Sequence, residues 1–246
     1  MLAGGNNEHT NHAPEMEVPV IVLCGGLATR LADVTQGKLP KHLLEAGNQT
    51  ILEYALEPYS KFEKIILATS NHADQIESFV HSRLDEKQLL LSPEPKPLGV
   101  IDAVEKAITR YNISGRFMMA NGDEVALGFE PTTMLSQHIA SGSELTILTT
   151  TFLTSTPDFA FTIDQESRAL NFKRTQELKN DEVATNFALG TFVCEESILP
   201  TMTDHKDWVS FLRVMTTDHR LHVYTTDIPF YNINHPGDLE KLRSAV

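Results

Sequence analysis

Val18-Pro19-Val20-Ile21-Val22-Leu23-Cys24-Gly25-Gly26-Leu27-Ala28-Thr29-Arg30-Leu31, followed by Leu39-Pro40-Lys41, decides how this chain is read. The apolar run from Val18 to Leu23 is a buried-strand pattern. Gly25-Gly26 then makes a turn, and the loop beyond it carries two cations, Arg30 and Lys41. A glycine turn lets backbone N–H groups approach phosphate oxygens, because no Cβ stands in the way. Arginine and lysine side chains neutralise the phosphate charge. Strand, glycine turn and paired cations together suit a triphosphate.

Two other phosphate motifs fail here. A P-loop needs Gly, four residues, then Gly-Lys-Ser/Thr. Gly37-Lys38 is present, but Ala32 and Leu39 stand where the first Gly and the hydroxyl residue belong. The dinucleotide fingerprint G-x-G-x-x-G fails because the two glycines are adjacent and no third follows. Taken alone, Gly-Gly is equally an ordinary strand-to-loop turn.

Gly25-Gly26-Leu27-Ala28-Thr29-Arg30-Leu31, Pro40-Lys41 and Ile51-Leu52-Glu53-Tyr54 resemble the signature of the sugar-1-phosphate nucleotidyltransferases, G-G-x-G-T-R-L, then P-K, then a helix opening with I-L-E. The resemblance runs from about Val18 to the C-terminus. It implies a three-layer α/β/α nucleotide-diphosphosugar transferase fold, Rossmann-like, on a mostly parallel twisted sheet. It implies a nucleotide half over about 18–130 and a sugar or other acceptor half over about 131–246.

Composition agrees with such a domain. The chain has 246 residues, of which 41% are hydrophobic, enough for one large α/β domain. No apolar run reaches membrane-spanning length. Met1 to Glu17 is polar and lacks Lys and Arg, so a disordered tail is expected rather than a signal peptide. Two cysteines, Cys24 and Cys194, fit a reducing cytoplasm, with Cys24 as a small buried hydrophobe. The net charge of −13 argues against nucleic-acid binding but not against a nucleotide, since screening leaves local cations in control. His219 and His222 read as surface residues at a strand entry. Nothing fixes the oligomeric state, and a homo-oligomer stays open.

Apolar runs and helical patterns alternate along the first half. Strands are expected at 18–24, 64–69, 88–92 and 116–121, with helices at 50–60, 72–84 and 98–111. Apolar strands alternating with helices imply a parallel sheet covered on both faces. The second half is richer in strands, at 144–152, 159–164, 169–174, 187–194 and 220–226, with helices at 131–141, 207–218 and 236–244. Ligands bind beyond the carboxyl ends of such strands. Gly25-Gly26 and Asn121-Gly122-Asp123 both follow strands, so they can converge.

Asn121-Gly122-Asp123 by itself reads first as turn chemistry and only second as a cation ligand. The resemblance reverses that order and makes Asp123 a magnesium ligand. It supplies Asn232 as the second ligand, from Tyr231-Asn232-Ile233-Asn234-His235-Pro236-Gly237-Asp238-Leu239, and leaves Asp238 as a first-turn helix residue. Glu94-Pro95-Lys96-Pro97-Leu98-Gly99 resembles the base-reading loop E-x-x-P-L-G-T-A, with Val100 in place of Thr. The backbone of Leu98 and Gly99 would lie against the base. A Glu94 carboxylate would suit the two donors of a guanine edge. Leu23, Gly25, Gly26, Thr29 and Arg30 complete the nucleotide-binding set.

The acceptor motifs depart further from the family. F-x-E-K-P is represented by Phe172-Lys173-Arg174-Thr175-Gln176, and N-A-G by Ala188-Leu189-Gly190. Asn186 lies two residues earlier on the same side of a strand and is the expected substitute. Gly190 and either Arg174 or Glu177 complete the sugar contacts, though each is equally a solvated loop residue. The implied reaction joins a sugar 1-phosphate to a nucleoside triphosphate, with Arg30, Lys41 and Asp123 as its catalytic residues. Two alternatives remain: a non-sugar phosphate acceptor, and a homologue that binds nucleotide without turnover. The departures at Ala28, Val100, Arg174 and Ala188 keep the second one open.

Overall fold

The computed structural model describes residues 14–26, 28–84, 88–152, 154, 159–177 and 186–246. The tail expected over 1–17 lies outside the described residues as far as residue 13. Its last four residues, Pro14–Glu17, form a 3-10 turn whose Met16 carbonyl accepts the Glu63 N–H at 3.0 Å.

The described residues form the expected α/β architecture around a nine-stranded mixed sheet. Val20–Cys24 runs through its centre, parallel to Ile65–Thr69 on one side and Phe117–Asn121 on the other. Leu89–Pro93 extends the parallel part beyond Ile65–Thr69. Alternation along Val20–Cys24 explains why nearly every residue there is apolar. Ile21 joins the core on one face, whereas Val20, Val22 and Cys24 join the core on the other. Both faces are covered, so neither needs polar residues.

Helices Ile51–Leu56, Ala73–Arg83 and Pro131–Ser141 supply one covering layer through Leu52, Ile76 and Met134. Val100–Tyr111 and Trp208–Thr217 supply the other through Val104 and Phe211. The first of these helices starts where it does because Thr50 and Glu53 form a reciprocal cap. Glu53 N–H donates to Thr50 Oγ1 at 3.2 Å, and Thr50 N–H donates to Glu53 Oε2 at 2.7 Å.

The strand Asn186–Cys194 turns the parallel sheet into a mixed one. It runs antiparallel to Phe117–Asn121, Leu145–Thr150 and Phe159–Ile163. Its register against Leu145–Thr150 slips between Ala188 and Phe192, leaving a bulge around Gly190. Leu221–Thr226 pairs in parallel with Leu145–Thr150, and Ala169–Arg174 is a hairpin partner of Phe159–Ile163.

A third core cluster lies under the edge of the sheet where the strands end. It packs Leu31, Leu44, Ile51, Val125, Tyr231, Ile233 and Leu239 together. The short ribbon Glu124–Ala126 with Phe230–Asn232 and the helix Pro236–Arg243 are fastened there. Fully burying a leucine such as Leu31 contributes about 1.5–3 kcal/mol. That burial anchors the segment carrying Arg30. Sequence alone did not reveal this ribbon. Nor did it reveal that the cation-bearing loop contains the turns Thr29–Leu31 and Lys41–Leu43.

One surface assignment is corrected. His222 is buried, because Ser167 of the preceding hairpin turn accepts the Val223 N–H at 2.8 Å and the turn covers the strand there. Burial also holds the His222 imidazole below its ordinary pKa.

Candidate active site

Four parallel strands end at one edge, and each delivers part of the site immediately afterwards. Gly25 follows the central strand, and its carbonyl accepts the Ser70 hydroxyl at 2.7 Å. Glu94 follows Leu89–Pro93, its N–H donating to the Thr69 carbonyl at 2.7 Å. Gly122 N–H donates to the Leu23 carbonyl at 2.9 Å, bringing Asp123 beside the glycine pair. A Cβ on Gly122 would sit 2.6 Å from Cys24 Sγ, so this close crossing of chains excludes a larger residue.

Lys41 is buried and donates to the Asp123 carboxylate. Asn234 links the cations. Its Oδ1 accepts from Arg30 Nη2 at 3.0 Å and from Lys41 Nζ at 3.5 Å, and its Nδ2 donates to Asn232 Oδ1 at 2.6 Å. Asp238 caps the helix start behind Asn234, accepting the His235 N–H at 2.9 Å, as its first-turn position implies. Asp123 and Asn232 lie on neighbouring segments, with the Ile233 N–H donating to the Asp123 carbonyl at 3.0 Å. A carboxylate and an amide oxygen form an all-oxygen pair that suits a hard cation completed by phosphate oxygens. Among the described residues, no three His, Cys, Asp or Glu side chains gather into a metal cluster of their own.

A cavity of about 280 Å³ opens over this edge, lined by Leu23, Gly25, Gly26, Lys41, Glu94 and Asp123 among others. Gly99 and Val100 also line it. Gly99 has φ 125° and caps the helix Val100–Tyr111. Glu94 is buried, and its carboxylate accepts from Lys106 Nζ at 2.9 Å. His42 lines the same cavity. Burial pushes its imidazole down to about 4, so it is neutral at pH 7. Burial likewise raises the Cys24 thiol, in keeping with the reading of a packed hydrophobe.

A second cavity of about 150 Å³ adjoins the first across Leu23, Val100 and Asn121. Glu124, Phe159, Gly190, Trp208 and Asn232 contribute to its lining. Thr29, Arg30 and Leu98 line neither cavity, although Arg30 is tied to the edge through Asn234. Asn186 and Arg174 also line neither. The Asn186 amide oxygen accepts from Thr225 Oγ1 at 2.9 Å, and the Arg174 guanidinium lies over the Phe159 ring at 5.4 Å. Ala28 takes φ 50° and ψ 29°, the left-handed conformation that glycine adopts without strain.

Sequence reading missed Asn234, Glu124 and Trp208 as site residues. Asn234 was legible in principle, because it sits two positions from Asn232 on a strand end. Trp208 carries no local signal, since only tertiary packing brings its helix over the cavity.

The chain is similar to several known proteins. The family model described as nucleotidyl transferase matches residues 19–162. A D-glycero-α-D-manno-heptose 1-phosphate guanylyltransferase of Aneurinibacillus thermoaerophilus is 25% identical over 231 residues, covering 92% of this chain and 97% of the relative. A protein of the same name from Campylobacter jejuni is 29% identical over 105 residues, covering 42% of this chain and 46% of the relative. The crystal structure of HddC from Yersinia pseudotuberculosis superposes with a TM-score of 0.71 at 20% identity, covering 93% of this chain and 99% of that one. HddC complexed with GMP-PN superposes with a TM-score of 0.70 at 19% identity. These two structures share the fold.

Proposed function

The chain belongs to the nucleotidyl transferase family, and from that premise we propose that it joins a sugar 1-phosphate to the nucleoside monophosphate part of a nucleoside triphosphate, GTP by preference, releasing pyrophosphate. The observation that carries this reading is the linkage of Arg30, Asn234, Lys41 and Asp123 beside Gly25-Gly26. Two cations fixed at a strand-end glycine turn match the charge of a triphosphate and of an incoming phosphate.

An oxygen of the sugar phosphate attacks the α-phosphorus. The bond from that phosphorus to the bridging oxygen breaks, and its electron pair leaves with pyrophosphate. The nucleophile is already an anion, so no general base is required. Positioning and charge stabilisation then supply the rate. Arg30 holds the β- and γ-phosphates. Lys41 lies between the α-phosphate and the acceptor phosphate, exchanging its Asp123 partner for phosphate oxygens. Asp123 and Asn232 would hold magnesium, which when bound neutralises phosphate charge and orients the α-phosphate.

Preference for GTP is supported by the similarity to two heptose 1-phosphate guanylyltransferases and by the buried Glu94 carboxylate in the cavity lining. A carboxylate accepts from the adjacent N1–H and 2-amino donors of guanine, a pair that adenine does not offer. In this reading, residues of about 18–130 serve the nucleotide and about 131–246 the acceptor. Two buried free thiols suit a reducing compartment, the cytoplasm.

Pyrophosphate release tests the reading, measured with magnesium across the four common triphosphates and a panel of sugar 1-phosphates and non-sugar phosphates. Turnover is expected with GTP and a sugar 1-phosphate. Turnover confined to non-sugar acceptors would reassign the acceptor, and nucleotide binding without turnover would overturn the reading.

A further inference from the structure

Lys106 lines neither cavity, yet it is tied to a carboxylate that lines the first one. Its Nζ donates to Glu94 Oε1 at 2.9 Å and is the only partner of that carboxylate among the described residues. Just 4% of the Glu94 side chain is exposed, against 41% of that of Lys106. The pair therefore has a buried anionic end and a cationic end that reaches water. The Glu94 main chain is fixed as well, since its N–H donates to the Thr69 carbonyl at 2.7 Å.

The fold brings the two residues together across the loop 94–99. Glu94 follows the strand Leu89–Pro93, and Lys106 lies in the helix Val100–Tyr111, which starts after Gly99. The Tyr111 hydroxyl donates to the Leu91 carbonyl at 2.5 Å, fastening the end of the helix to that same strand. Residues three apart share a helix face, so Lys106 stands one turn behind Ala103, which lines the cavity. Strand, loop and helix form a closed frame, and Lys106 braces Glu94 across it.

Removing one partner of a buried ion pair leaves an uncompensated charge, which is costly. Without Lys106, the least costly relief for Glu94 is to turn its carboxylate toward water, where it no longer meets a base. A carboxylate has about four acceptor sites, so the Lys106 bond leaves room for two further donors. Guanine offers two adjacent ones, N1–H and the 2-amino group. Hypoxanthine keeps only the first, and adenine does not offer the pair.

We propose that Lys106 is the positioning residue of base selection: it touches no substrate, and by holding Glu94 Oε1 it keeps the carboxylate aimed at the guanine edge, which sets a preference for GTP over ITP and ATP. The inference rests on the reading of Glu94 given above and adds the residue through which that reading is enforced.

Equilibrium binding by calorimetry tests this without acceptor or turnover, using GTP, ITP and ATP in the presence of magnesium. The proteins compared are wild type, Lys106→Met, Lys106→Arg, Glu94→Gln and the double variant of Glu94→Gln with Lys106→Met. Hydrogen bonds to a charged group set the scale, so Lys106→Met lowers GTP affinity about 10–100-fold. It lowers ITP affinity less and leaves ATP affinity unchanged. Lys106→Arg keeps the charge and restores most of the preference. On top of Glu94→Gln, Lys106→Met lowers GTP affinity no further, because it acts only through that carboxylate. An equal loss for all three nucleotides, or a loss on top of Glu94→Gln as large as in wild type, marks Lys106 as a prop of the loop and overturns the inference. Tighter GTP binding by Lys106→Met overturns it too, since Lys106 would then compete with the base. Should Lys106→Met be recovered unfolded, Lys106→Gln, which keeps a donor without the charge, decides by the same criteria. The reading of Glu94 has its own failure: a ratio of GTP to ATP affinity that is the same in Glu94→Gln as in wild type.

Discussion

The Lys41 side of the groove and the Glu124 side are built by different means. Gly25, Ser70, Glu94 and Asp123 each follow closely on the end of a parallel strand, so their positions come from local sequence. Gly190 instead lies inside a bulged antiparallel strand and meets Glu124 and Asn121 from elsewhere in the chain. One side is a row of turns on a regular scaffold, and the other is an irregularity within the scaffold itself. Both sides are sensitive to volume, the phosphate side at Gly122 beside Cys24 and the bulged side at Gly190 beside Asn121, and the phosphate side adds a dependence on its fixed cations.

Lys41→Ala gives the largest expected effect. Loss of one charge-stabilising donor costs about 100–1,000-fold in turnover. Steady-state rates with GTP and a sugar 1-phosphate measure it, and an unchanged turnover number would break the assignment of that side to phosphate chemistry. Gly190→Ala comes next and probes the other side. Overpacking of this kind costs about 1–3 kcal/mol of stability, read from urea unfolding, and should raise the acceptor KM while sparing the KM for GTP. An equal rise in both would show that the sides are not separable. Ala28→Gly is the smallest. It relieves a left-handed alanine at the phosphate side, so stability should rise by up to about 1 kcal/mol, with the acceptor KM unmoved. A fall in stability would show that the Ala28 methyl makes contacts worth more than its strain.

The same contrast governs what the sequence could reveal. Arg30, Lys41 and Asp123 stood in the motifs that carried the resemblance, and the structure brings them to one edge: Asp123 follows the strand Phe117–Asn121, whereas Arg30 and Lys41 lie on the short turns Thr29–Leu31 and Lys41–Leu43. The helix over 131–141 was equally legible, because Pro131 opens it and Gly142 closes it with φ 64°. Asn186 was chosen for the acceptor side by strand alternation. Two residues along a strand move a side chain about 6–7 Å, and that carries Asn186 away from the cavity reached by Ala188 and toward Thr225. Glu124 went unread because its partners are a bulge amide and a side chain on another strand, and no spacing rule announces a bulge. Asn234 lay within a quoted motif, yet its links to Arg30 and Lys41 depend on the third core cluster bringing distant segments together.

Asn186–Cys194, described above as the strand that makes the sheet mixed, also bears on how the chain assembles. Its neighbours are drawn from well before it in the sequence: Phe192 faces Met119, Val193 faces Thr146 and Asn186 faces Phe161. Docking it closes several long loops at once, an entropic cost that local helices do not bear. It is therefore a seam that joins early and late parts of the chain. Once closed, it couples the two halves of the sheet, so that neither can open far without breaking the ladder it shares with the other.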